Sequence, residues 1–127
     1  MSLDITPLVP AGRQVIESYG GGGFRVAGVL HTGSIIVLPE RTLAWSVAVT
    51  DPLTESALAP LFDAAGSLEI LAVGCGARFS LPPAVLRAAL KARGIALEWM
   101  DTGAACRTFN VLLAEGRPAA AALIAVE

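Results

Sequence analysis

Apolar and polar positions alternate with period two along the first third of the chain. The runs are Gln14 to Tyr19, Phe24 to Leu30, Ser34 to Leu38 and Leu43 to Val49, each set off by glycine or proline. They predict four β segments. Gly20-Gly21-Gly22-Gly23 and His31-Thr32-Gly33 read as the turns between them, because glycine tolerates positive φ at no steric cost. After Asp51 the period changes. Leu58, Leu61, Phe62 and Ala65 follow helical spacing, with Asp51 as N-cap, Pro52 in the first turn and Gly66 as the stop. The unbroken apolar run Ile70-Leu71-Ala72-Val73 predicts a strand buried on both faces, ending at Gly74.

Ser80 is placed to cap a second helix through Pro82-Pro83, with Leu86 and Leu90 facing the core and Lys91 and Arg93 near its negative end before Gly94. Ile95 to Met100 predicts the next strand. Asp101 or Thr102 caps a third helix whose positions Cys106, Phe109, Asn110 and Leu113 share one face and which closes at Gly116. Ala119 to Val126 supplies the last strand. Four β runs followed by α-β-α-β-α-β predict a three-layer α/β domain, with a mixed central sheet, flanking helices and an additional N-terminal β-hairpin layer. One domain over residues 1–127 is expected, with 1–12 an irregular lead.

Composition narrows the classes of function. Hydrophobic residues make up 54% of the 127 positions, yet the longest stretch free of Asp, Glu, Lys and Arg runs only from Val26 to Pro39, so no transmembrane segment is expected. The opening Met1-Ser2-Leu3-Asp4 has no signal-peptide pattern, and a cytoplasmic protein is expected. A formal charge of −2 argues against nucleic acid as a partner. Cys75 and Cys106 form no CxxC pair and are expected as thiols.

Several segments resemble a known family: Gly22-Gly23-Phe24-Arg25-Val26, Gly33-Ser34-Ile35-Ile36-Val37, Glu69-Ile70-Leu71 leading to Gly74-Cys75-Gly76, and Leu81-Pro82-Pro83. The most specific are Arg93-Gly94-Ile95 and Met100-Asp101-Thr102-Gly103-Ala104-Ala105-Cys106-Arg107-Thr108-Phe109-Asn110-Val111-Leu112, with Ala114-Glu115-Gly116-Arg117. In this order, from about Ile16 to Ile124, they are similar to a domain of unknown function. Bacterial hypothetical proteins, a mitochondrial respiratory complex I assembly factor and an adipogenesis-associated vertebrate protein share it. The resemblance implies a three-layer α/β fold in which one strand of the mixed sheet runs antiparallel to the others. It implies no catalytic residues, and its one functional association is with assembly of a membrane complex. Many members carry threonine or serine where this chain has Cys75, so the resemblance implies no role for that thiol.

Ligands of open α/β sheets bind beyond the carboxyl ends of the strands. If the two central strands are neighbours, Gly74, Cys75, Gly76 and Arg78 would face Asp101, Thr102, Cys106 and Arg107 across one cleft suited to a small anion. The plainer account is that the glycines make turns, Asp101 and Thr102 cap a helix, and the arginines are solvated. Gly74-x-Gly76-x-x-Phe79, with Glu98 downstream, approaches a dinucleotide fingerprint, but bulky Phe79 stands where close helix packing needs glycine. Cys106 beside Arg107 near a helix start could be a reactive thiol, whereas its spacing with Phe109 and Leu113 marks it as a small buried hydrophobe. His31 is the only histidine, no metal cluster has the necessary spacing, and no serine sits in a nucleophile elbow. No cofactor, metal site or catalytic residue is expected.

Most of Trp45, Trp99, Tyr19 and the surplus of Leu, Val and Ile must be core, but together they exceed what one small core hides. A protein partner, or a symmetric homodimer, is expected to cover part of that surface. The reading that follows is a non-catalytic interaction domain assisting assembly of a membrane or redox complex. The alternative is a domain for a small anionic ligand, or an enzyme, at the Gly74 to Arg78 loop and the Asp101 to Arg107 helix start.

Overall fold

The computed structural model describes residues 12–50 and 53–127. Two sheets and three helices form its layers. β1 (Ile16–Gly20), β2 (Gly23–Val26) and β3 (Val29–Thr32) make an antiparallel three-stranded sheet in that order. The central sheet contains β4 (Ile35–Val37), β5 (Thr42–Ala44), β6 (Ile70–Gly74), β7 (Ala96–Met100) and β8 (Ala119–Leu123), in the spatial order β5-β4-β8-β6-β7. β6 is parallel to both β7 and β8, while β4 is antiparallel to β5 and β8. The lone antiparallel strand is therefore β4, as the family resemblance implies.

All residues of β6 and β8 are buried, because both faces of the sheet are covered. On one face Ile36, Leu71, Val73, Leu97 and Trp99 join Leu61 of α1 (Ala59–Ala64) and Leu86 and Leu90 of α2 (Ala84–Ala92). On the other, Ile35, Val37, Ala72, Ala121 and Leu123 join Ala105, Cys106, Phe109 and Leu113 of α3 (Thr102–Ala114), together with Ile16, Phe24 and Val26 of the small sheet. The polyalanine tract is the middle strand, where short side chains allow both covering layers to approach closely.

Several local expectations change, each for a chemical reason. The run Phe24 to Leu30 is two strands, since Val26 pairs with Val29 across Ala27-Gly28, both at positive φ, in a two-residue hairpin turn. Alanine at the first turn position hid it. His31 consequently lies within β3, paired with Phe24, and not in a turn. The run Leu43 to Val49 shortens to β5. Asp51 and Pro52 lie outside the described residues. The helix anticipated behind them begins as a 3-10 turn, Glu55–Leu58, capped by the Thr54 side chain, and continues as α1 with Pro60 in its first turn. Ser80 caps nothing: Leu81 and Pro82 each precede a proline and are driven out of the helical region, and α2 starts only at Ala84, with an extended Pro83 at its N-cap. Ser80 instead offers its carbonyl to the Trp99 indole N–H at 2.6 Å. Asp101 caps α3 as anticipated, its carboxylate accepting from the Ala104 amide at 2.9 Å.

Candidate functional site

β6 and β7 run side by side with Gly74 opposite Met100, so the two loops leaving their carboxyl ends meet. The amide of Cys75 donates to the Met100 carbonyl at 2.9 Å, and the amide of Thr102 donates to the Gly76 carbonyl at 2.9 Å. Thr102, fully buried, ties three strands: its hydroxyl donates to the Ile124 carbonyl at 2.8 Å and accepts from the Gly76 amide at 3.1 Å. Glycine at 74 is required by this closeness, since a Cβ there would lie 2.8 Å from the Thr102 Cα.

Gly74, Gly76, Asp101 and Thr102 are thus brought together, but as a seam of internal hydrogen bonds. The amides that an anion would need at the start of α3 are mostly engaged: Thr102 with Gly76, Ala104 with the Asp101 carboxylate, and Ala105 with the Asp101 carbonyl. The remaining members of the predicted set diverge. Cys75 belongs to the core on the α1 and α2 face, with its thiol 3.5 Å from the Arg78 carbonyl, whereas Cys106 belongs to the core beneath α3. The central sheet separates the two sulfurs. Arg78 is exposed, and Arg107, also exposed, donates to the Tyr19 hydroxyl at 3.4 Å.

Burial pushes the Cys106 thiol up to about 12; the Arg107 charge and a backbone hydrogen bond pull it down less strongly, and Asp101 adds a small upward push. A protonated thiol, 3% exposed, is a core side chain. Beside it, Tyr19, Arg107 and Asn110 border a shallow hollow of about 220 Å³. Asn110 hydrogen-bonds both backbone groups of Ile16, accepting from its amide at 2.9 Å and donating to its carbonyl at 2.8 Å, and so pairs with the outer edge of β1 as a neighbouring strand would.

Most of the large apolar side chains are core, as expected, and the exposed remainder lies elsewhere than at the tryptophans. Trp45 and Trp99 are buried, at 5% and 9% exposure, with their indole N–H groups satisfied by the carbonyls of Ala57 and Ser80. The exposed apolar side chains at the carboxyl rim are Phe79, Leu81 and Val85, at 59%, 85% and 82%. The available signal was phase: Val85 falls off the Leu86 and Leu90 face of α2, and Phe79 and Leu81 sit in a loop with no helical period to bury them. Among the described residues no group of His, Cys, Asp and Glu could hold a metal ion, and no helix is long and apolar enough to cross a membrane.

A family profile described as a protein of unknown function (DUF498/DUF598) matches residues 16–124. An uncharacterised protein of Rhodobacter capsulatus is 39% identical over 114 residues, covering 90% of this chain and 86% of that protein. The bovine NADH dehydrogenase (ubiquinone) 1 alpha subcomplex assembly factor 3 is 42% identical over 110 residues; these are 86% of this chain but only 59% of the bovine protein. Among solved structures, a crystal structure described as an outer membrane protein of Bartonella henselae superposes with a TM-score of 0.82 at 41% identity, covering 92% of this chain and 98% of that one.

Proposed function

The chain belongs to the DUF498/DUF598 family, and from that membership we propose that it is a non-catalytic interaction domain that assists assembly of a membrane-bound redox complex. The observation that carries the reading is the 42% identity over 110 residues to a protein named as a complex I assembly factor. That relative is longer, and the part held in common is the α/β domain itself, so the proposal assigns the partner contact to this domain. The chemistry of the carboxyl rim supports it. Most amides that could have received a ligand are bonded internally, while Phe79, Leu81 and Val85, in the segment that follows β6, are exposed. Three exposed apolar side chains within seven residues are the kind of surface that a protein contact would cover.

The test is removal of the gene from the organism that makes the protein, followed by native-gel separation of its membrane NADH dehydrogenase. The expected result is less assembled enzyme with accumulated subassemblies, restored by the wild-type chain. Unchanged assembly and unchanged NADH oxidation by the membranes would overturn the reading. Two copies of the chain are the competing occupant of the same surface, and an invariant monomer in light scattering removes that alternative.

A further inference from the structure

We infer that a hollow at the amino-terminal ends of β6 and β8, opposite the rim discussed above, binds a small organic anion through Arg13, Arg41 and Arg117. Four segments remote in sequence meet there: the residues entering β1, the β4–β5 hairpin, the α1–β6 connection and the α3–β8 connection, three of them bringing an arginine. The chain has nine basic residues and a net charge of −2. Three arginines nevertheless line this one depression of about 390 Å³, against a single carboxylate, Glu40.

That carboxylate is a poor counterion. It is 83% exposed and reaches Arg13 only at 4.0 Å, although the Arg13 side chain is itself just 24% exposed. Arg117 has a loose contact with Glu115 at 3.8 Å, both about half exposed, and among the described residues Arg41 makes no ion pair. Three arginines around one depression, with no close carboxylate between them, suit an oxyanion, since each guanidinium presents a planar fork matched to carboxylate or phosphate. Apolar residues share the lining: Leu38, Ala65, Leu68 and Pro118 are among it, and the volume lies within the roughly 300–1,000 Å³ typical of small-molecule sites. The favoured ligand therefore has an anionic head and a compact apolar body.

The site is independent of the assembly reading, and its failure would leave that reading intact. The experiment is an NMR titration of the labelled chain at constant ionic strength with phenyl phosphate, hexanoate and inorganic phosphate, and with hexanol as neutral control. Saturable shifts are expected at Arg41, Ser67 and Arg117 with phenyl phosphate or hexanoate, tighter than with inorganic phosphate; the two organic arms distinguish a phosphate from a carboxylate head. Arg41→Gln and Arg117→Gln should each weaken binding roughly tenfold, with partial recovery in Arg41→Lys. Shifts that do not saturate, that match those given by hexanol, or that survive both substitutions would overturn the inference.

Discussion

Cys106 illustrates how neighbours decide what a side chain is. A thiol in the first turns of a helix beside an arginine has two influences favouring thiolate, and a third, burial under α3, opposing them. Burial wins, and the thiol is held near 12 against an ordinary value of 9.0. In a Cys75→Ser background, the folded protein should therefore resist thiol reagents at neutral pH and react once denatured; rapid labelling of the folded form would restore a nucleophile reading. The same shift has a signed consequence for stability. The folded state holds this proton more tightly than the unfolded chain does, so the contribution is fully present below about pH 9 and is lost as pH rises toward 12. Urea melts across that window should show a decline that Cys106→Ala reduces. A wild-type decline equal to that of the variant would contradict it.

At the scale of elements, the three-stranded sheet is attached to the rest of the molecule through α3, and Asn110 is the polar part of that attachment. Its amide occupies both the donor and the acceptor of Ile16, whose side chain is buried in the same core. Asn110→Leu leaves two backbone groups without partners in a partly buried seam, at a cost of about 1–3 kcal/mol. Denaturant melts should register that loss, and hydrogen exchange should quicken at Ile16 before it does in β6 or β8; uniform quickening would mean that Asn110 does not act locally. The sequence disclosed where Asn110 lies, on the face with Phe109 and Leu113, but not why, because its partner is 94 positions away. The same limit explains the rest. Period and caps marked β6, β7, α3 and β8 well, since the unbroken apolar runs of β6 and β8, the alternation in β7 and the Asp101 cap are local signals. The Ala27-Gly28 turn and the Thr54 cap were not legible, because the choice among competing turns and caps is made by tertiary pairing, whereas the late start of α2 follows locally from Leu81 and Pro82 each preceding a proline. In the predicted cleft the meeting of Gly74 with Asp101 was conditional on the two strands being neighbours, which the pairing of β6 with β7 supplies. That Cys75 and Cys106 face opposite sides was not legible, for that requires the side-chain phase of two elements relative to a third.

The whole molecule is polarised along its central strands. At the carboxyl ends of β6 and β7 lies an apolar rim with Phe79, Leu81 and Val85, and at the amino ends of β6 and β8 lies the arginine-lined hollow. Features so placed share no side chains, and perturbations of them should be additive and separable. The three rim side chains contribute little to folding, being mostly solvated already, so replacing Phe79, Leu81 and Val85 together by serine, glutamine and threonine should shift stability by less than about 0.5 kcal/mol per site. Partner contact should respond differently. A minority of interface residues, the well-buried anchors, each cost about 1 kcal/mol or more when truncated, and replacing three at once samples that minority. The triple variant should therefore melt nearly as the wild type does, take up organic anions unchanged, and fail to restore NADH dehydrogenase assembly in the deletion strain. Full restoration by a well-folded triple variant would move the partner surface away from this rim, and Arg41→Gln with Arg117→Gln, tested in the same strain, would then report whether the opposite end carries it.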